Sequence, residues 1–263
     1  MQTVADEISP GEFLQLIADP GRWQLLGELA RSDRRTGELT ELLSKPQNLV
    51  SYHLGELRDA RLVSARRSSA DGRDTYYRID LERCGDLLSA AGAALQPGMR
   101  LGLLPSEQIT IRRRPVPRAL FLCTGNSARS QMAEALLEHR SGHRIRAHSA
   151  GSHPKALHPN AVRVMAERGI DISSRPAKHL SRFAATTFDR VITLCDKVRE
   201  ICPDFPGQPS AAHWSMPDPA ADGDTNAQTY PAFRRCADEL ETRIRFLIAH
   251  MAEEQGRRTS HVR

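Results

Sequence analysis

No stretch of this sequence approaches the run of about 20 apolar residues that a membrane helix needs, although 40% of its 263 residues are hydrophobic. The first residues, Met1 to Glu7, lack the basic-then-apolar layout of a secretion signal. Cysteine is scarce. There are five, at positions 84, 123, 195, 202 and 236, and an odd, scattered set argues against a disulfide framework and for reduced thiols with chemistry. Internal repeats are also missing. These absences predict a cytoplasmic protein with no membrane partner. The length exceeds the single-domain mode of roughly 100–150 residues, so two domains are expected.

The net charge is +5, but it is unevenly placed. Residues 1–110 hold 13 Lys and Arg against 16 Asp and Glu, and residues 111–118 hold four arginines and no acid. Residues 119–263 hold 20 against 16. Any nucleic-acid contact of the first half must therefore rest on local placement of cations.

Ile111 to Pro117 carries three arginines and two prolines without helical or strand period, and reads as an extended linker. It separates a domain at 1–110 from one at 118–252, with a disordered tail at 253–263. Before the linker the pattern is helical. Phe13, Leu14, Leu16 and Ile17 fit one helix, and Trp23, Leu25, Leu26 and Leu29 a second. Thr36 opens a short third as a capping residue. Pro46 starts a fourth that runs to Asp59 with Val50, Leu54 and Leu57 inward. Leu62 to Arg67 and Thr75 to Ile79, around Asp71-Gly72, form a hairpin, and Leu81 to Leu95 a long helix. After the linker, strands at 119–122, 145–150 and 188–194 alternate with helices at 130–139, 159–168 and 230–251. That alternation predicts a parallel sheet flanked by helices. The fold class is multidomain: a mainly α winged helix-turn-helix, then an α/β domain.

Helix, tight turn, helix and hairpin is the layout of a winged helix-turn-helix. On the helix after Pro46, the face opposite the core stripe presents Gln47, Asn48, Ser51, Tyr52 and Arg58, suited to base edges in a major groove. Arg66, Arg67 and Arg73 cluster on the hairpin, where they would meet phosphates. A solvated helix face beside an ordinary hairpin is the plainer alternative. The runs Ala18 to Trp23, Leu49 to Leu54, Arg61 to Val63 and Tyr76 to Arg78 resemble the arsenical-resistance repressor (ArsR) family. The resemblance covers about Gly11 to Leu95. It implies operator DNA as a partner and a homodimer formed through the N-terminal domain at the helix 81–95. Many members of that family sense metalloid through paired cysteines near the helix that precedes the recognition helix. Residues 33–43 hold none here, and no histidine lies between 81 and 98. No metal site is expected, and Cys84 reads as a small buried hydrophobe.

The second half opens with an apolar strand that runs into Cys123-Thr124-Gly125-Asn126-Ser127-Ala128-Arg129-Ser130 and then a helix. Loop amides and a helix N-terminus converge there on one centre, which suits an anion and favours a thiolate at Cys123. Arg129 can hold two oxygens of a tetrahedral oxyanion through its planar fork. Gly125 and Asn126 are expected to allow the unusual backbone angles that turn amides inward. Far downstream, Asp218 lies between prolines and is a candidate general acid.

Together these look like the low-molecular-weight tyrosine phosphatase superfamily over nearly all of 118–251. The run Cys123 to Glu134, with Gln131 where phosphatase members usually carry proline, resembles the arsenate reductases of the thioredoxin-coupled type. So do Ser149-Ala150-Gly151 and His213-Trp214. The resemblance implies Cys123 as nucleophile, Arg129 as oxyanion clamp and Asp218 as general acid, with Asn126, Ser130 and Ser149 in support. Many relatives have a second cysteine where Ala128 stands. Cys195 ends a strand and Cys202 follows seven residues on. Two further thiols serve a reductase and not a hydrolase, although a pair of buried structural thiols remains open. Cys236 is read as structural. The expected substrate is arsenate, reduced to arsenite with no tightly bound cofactor, and the electrons come from thioredoxin or another thiol donor. The alternatives are a phosphatase-like hydrolase and an oxyanion-sensing regulator without turnover.

Overall fold

The computed structural model describes residues 8–99, 116–207 and 209–260. The chain divides into two compact units, 1–103 and 104–263, each treated by itself. Positions 111–115 of the expected linker lie outside the described residues.

In the first unit, caps decide where helices start. Ser9 accepts from the Glu12 amide at 3.3 Å and receives the Glu12 carboxylate on its own amide at 2.9 Å, opening α1 (Pro10–Ile17). Asp19 accepts from the Gly21 and Arg22 amides at the head of α2 (Pro20–Arg31). A left-handed Ser44 separates α3 (Thr36–Leu43) from α4 (Gln47–Asp59). The stripe Val50, Leu54 and Leu57 is buried against Phe13, Leu25, Leu29 and Leu39. His53 also faces inward. A Cβ at Gly21 would meet its Nε2 at 2.9 Å, so a side chain there would have to displace the ring.

The hairpin is β2 (Val63–Arg67) with β3 (Thr75–Ile79), antiparallel, and α5 (Leu81–Leu95) follows with Asp80 as its cap. A two-residue strand, β1 (Arg34–Arg35), adds to β3 and was not foreseen. It corrects the expected cap at Thr36. Pairing holds the chain extended through Arg35, so Thr36 becomes the first helical residue, and Glu38 accepts from the Arg35 amide at 2.8 Å.

The second unit runs β4 (Arg118–Cys123), α6 (Arg129–Arg140), β5 (Arg146–Gly151), α7 (Pro159–Ala166), β6 (Arg190–Thr193), α8 (Asp196–Glu200), β7 (Ser210–His213) and α9 (Asn226–Ser260). The sheet is parallel throughout in the order β5-β4-β6-β7. Its interior strand β4 buries Ala119 to Cys123 without interruption, as a parallel strand covered on both faces must. The order brings the carboxyl ends of β4, β6 and β7 to one edge, where open α/β sheets bind ligands. Two elements were not foreseen. β7 is an outer strand with two exposed residues and no β-branched side chain, and α8 is a single five-residue helix. Of the expected disordered tail at 253–263, the part to residue 260 is helical instead, and 261–263 lie outside the described residues. Helix α9 continues to Ser260, and Glu254 is held by Arg190 at 2.5 Å and His250 at 3.2 Å. No helix among the described residues is long and apolar enough to cross a membrane.

Candidate active site

β4 ends at Cys123 and α6 begins at Arg129, so residues 124–128 form a single tight loop. Its carbonyls are turned outward by a neighbouring segment. The amides of His153, Lys155 and His158 donate to the carbonyls of Thr124, Gly125 and Ser127 at 2.9, 2.9 and 2.8 Å. With those carbonyls occupied outside, the loop amides are left for an anion. The left-handed backbone falls on Asn126 alone (φ 44°), not also on Gly125 as expected. The glycine the loop requires is on β5. A Cβ at Gly151 would meet the Thr124 carbonyl at 2.6 Å and the Asn126 amide at 2.8 Å.

Two groups converge on the buried Cys123 sulfur: the Ser130 hydroxyl at 2.9 Å and the Asn126 amide at 3.2 Å. Asn126 is the brace of the loop. Its Nδ2 donates to Ser130 Oγ and Ser149 Oγ, both at 2.9 Å, and its Oδ1 accepts from the Lys178 amide at 2.7 Å and Gln131 Nε2 at 3.3 Å. Ser149 donates in turn to Glu134. That buried carboxylate is paired with Lys178 Nζ at 2.7 Å and Arg175 at 3.5 Å, which is what makes burying it tolerable.

Arg129 is buried with its fork beside the loop. Nη1 donates to the Met216 carbonyl at 2.9 Å, and Nη2 lies 3.4 Å from Asp218. Burial opposes its charge, but Asp218 and then Cys123 outweigh that and hold its pKa above the ordinary value. Asp218 remains half exposed and caps the 3-10 turn Pro219–Ala221 through the Ala220 amide at 3.3 Å. The structure thus gathers Cys123, Arg129 and Asp218, the arrangement for attacking a tetrahedral oxyanion and protonating its departing oxygen.

Cys195 joins them. Its sulfur is buried, 3.2 Å from the Thr124 hydroxyl. Cys202 lies beyond α8, half-buried, and burial pushes its thiol up to about 11. Burial pushes Cys84 and Cys236 each up to about 12. Among the described residues no group of three His, Cys, Asp or Glu lies together as a metal site.

In the first unit, Gln47, Asn48, Ser51, Tyr52 and Arg58 are all exposed on α4, as expected. The wing cations are less uniform. Arg67 and Arg73 are exposed, while Arg66 is half-buried. Arg66 donates to the Arg67 carbonyl at 2.9 Å, Arg67 to the Gly72 carbonyl at 3.2 Å, and Arg73 pairs with Asp71 at 3.3 Å.

Sequence reasoning missed Lys178 and the bracing roles of Gln131 and Glu134. The last two lie one helical turn apart on α6, both inward, a spacing that could have marked them. Lys178 carries no local signal.

Residues 118–257 match the low molecular weight phosphotyrosine protein phosphatase family, and residues 19–65 the bacterial regulatory protein, arsR family. The arsenate reductase of Halalkalibacterium halodurans is 39% identical over 48% of this chain and 90% of its own length. That of Bacillus subtilis is 38% identical over the same shares. A solved arsenate reductase in the oxidized state is 32% identical over 51% of this chain and 97% of that one, with a TM-score of 0.45.

Proposed function

The chain belongs to the low molecular weight phosphotyrosine protein phosphatase family, and we propose that within it this protein reduces arsenate to arsenite by a relay of three thiols. The observation that carries the reading is Cys195, buried at the mouth of the Cys123 loop with its sulfur on the Thr124 hydroxyl. A hydrolase has no use for a second thiol there.

Cys123 attacks arsenic, Asp218 protonates the departing oxygen, and water leaves as the S–As bond forms. Arg129 and the loop amides hold the remaining oxygens. Cys195 then attacks the Cys123 sulfur. The electron pair of the S–As bond goes to arsenic, which departs as arsenite, and two thiols become one disulfide. Cys202 attacks Cys195, which releases Cys123 as thiolate and moves the disulfide to the 195–202 pair. Thioredoxin or another external dithiol reduces that pair, so no bound cofactor is required.

The first unit, with its arsR-family segment, binds operator DNA through α4 and the wing, as a homodimer formed at α5, and so couples the enzyme to regulation of arsenic resistance. The compartment is the cytoplasm, where thiols stay reduced. A second reading, phosphate-ester hydrolysis, draws on the complete Cys123, Arg129 and Asp218 set. Arsenate reduction coupled to thioredoxin, run beside p-nitrophenyl phosphate hydrolysis, separates the two. Sustained arsenite release is expected. Ester hydrolysis without arsenite overturns the reductase reading.

A further inference from the structure

Next to Cys195 lies a buried polar cluster that the thiol chemistry does not use. Asp196 is 0% exposed and His213 2%. Asp196 Oδ1 accepts from the Ser215 hydroxyl at 2.7 Å and lies 3.0 Å from His213 Nε2. On its other side the His213 ring reaches back to Thr193, with Nδ1 2.8 Å from the hydroxyl and 3.1 Å from the carbonyl. Thr193 and His213 are register partners, the last residues of β6 and β7, and the Trp214 amide donates to the Thr193 carbonyl at 2.9 Å. The Leu194 amide is bonded to the Leu122 carbonyl on β4 at 2.7 Å. Cys195 is therefore fastened on both sides, by β4 before it and by β7 after it.

Beyond Asp196 the character changes at once. Lys197 and Glu200 are exposed and Ile201 is 56% exposed, while only Val198 is fully buried. The Cys202 amide reaches the Arg199 carbonyl only at 3.4 Å.

We propose that the Asp196–His213–Ser215 cluster is a positioning device for the relay: it holds Cys195 stationary and makes Asp196 the hinge on which residues 197–202 unwind. This rests on the thiol-relay reading above. Asp196, with no exposure, leaves its partners only at high cost, whereas three exposed residues, the half-buried Arg199 and one valine leave more cheaply. The unwinding that a 195–202 disulfide demands thus starts at Lys197, and Cys202 comes to Cys195. The exchange forms the Cys195–Cys202 bond and breaks Cys123–Cys195. Cys123 takes the electron pair, and the Cys202 proton passes to solvent.

The test uses the full chain. Arsenate is added once, disulfides are mapped by mass, and amide exchange is compared between reduced and oxidised protein. Amides of 197–202 should lose protection on oxidation while those of 193–196 and 213–215 keep theirs. Asp196→Asn should lower kcat by about tenfold or more, with the arsenate KM and the phosphate Kd within about twofold, because misplacing Cys195 slows its attack without touching the anion loop. Ser215→Ala, which removes one bond and keeps the Asp196–His213 contact, should give a smaller fall of the same kind and serves if Asp196→Asn fails to fold. Wild-type protein that forms no 195–202 disulfide fails the relay itself. Wild-type protein that forms it, with unchanged kcat in both variants or with protection lost at 193–196, overturns the hinge.

Discussion

The Cys123 loop and the hairpin wing are both short segments between regular elements, yet they are built in opposite ways. In the loop, three carbonyls are taken by residues 153–158, and Asn126 alone makes four side-chain bonds, to α6, β5 and the loop at Lys178. On the wing, Arg66 and Arg67 donate to carbonyls of their own hairpin, and Arg73 pairs with Asp71 two residues away. A preorganised site develops its field at the moment of reaction without rearranging. A wing that meets phosphates needs only cations near a surface and can adjust. Substitutions in the loop should therefore act nearly all-or-none, and those on the wing in small additive steps.

The largest expected effect is at the centre of the loop. Cys123→Ser should lower arsenate turnover by roughly 10⁴-fold or more, the scale of losing a nucleophile, with the fold intact by circular dichroism. Arg129→Lys keeps charge but loses the fork, and should cost about 10²–10³-fold in kcat. Arsenite release surviving in Cys123→Ser would place the chemistry elsewhere.

Next comes the brace. Lys178→Met removes the nearer of two cations on buried Glu134 and should destabilise the second unit by about 3 kcal/mol, the low end for a broken buried pair, because Arg175 remains. Thermal unfolding measures it. A shift indistinguishable from wild type would show the loop to be no more braced than the wing.

The pH dependence of the relay is a gentler effect. Burial holds the Cys202 thiol near 11, so at pH 7 almost none of it is thiolate, and the fraction rises about tenfold per pH unit until that value is approached. The rate of disulfide transfer to the 195–202 pair after one arsenate addition should climb with that slope between pH 7 and 9. A flat profile would mean that unwinding of the segment, and not formation of the thiolate, limits the step.

Much of this was legible in the sequence because local patterns carried it. A periodic stripe placed α4, alanine and leucine content placed α5, the apolar run placed β4, and the spacing from Cys123 to Arg129 placed the anion loop. What escaped depended on partners distant in sequence. β1 exists because β3 is there to pair with it, and β7 has the exposure of an edge strand. Lys178 meets Glu134 across 44 residues, and Asp196 meets His213 across 17. Gly125 and Asn126 both looked able to take an unusual φ, but Asn126 alone does so, with its side chain tied at four points.

The smallest effects are expected on the wing, and they sharpen the comparison most. Each arginine that neutralises a phosphate releases about one counterion, so the slope of log K against log salt should fall by about 1 for each such arginine removed. Arg67→Ala should show that drop for operator and unrelated DNA alike, because phosphate contacts carry no sequence information. Arg73→Ala should show less, because Arg73 already spends its Nε on Asp71 and must leave that exposed pair to reach DNA. Asp71→Ala frees Arg73 and should tighten non-specific binding slightly. Gln47→Ala or Ser51→Ala on α4 should leave the salt slope alone and change which sequences are preferred. Titrations at four salt concentrations, with operator and scrambled duplexes, separate these outcomes. If Arg67→Ala abolished binding outright instead of reducing its slope, the wing would be as preorganised as the Cys123 loop, and the contrast between the two segments would be wrong.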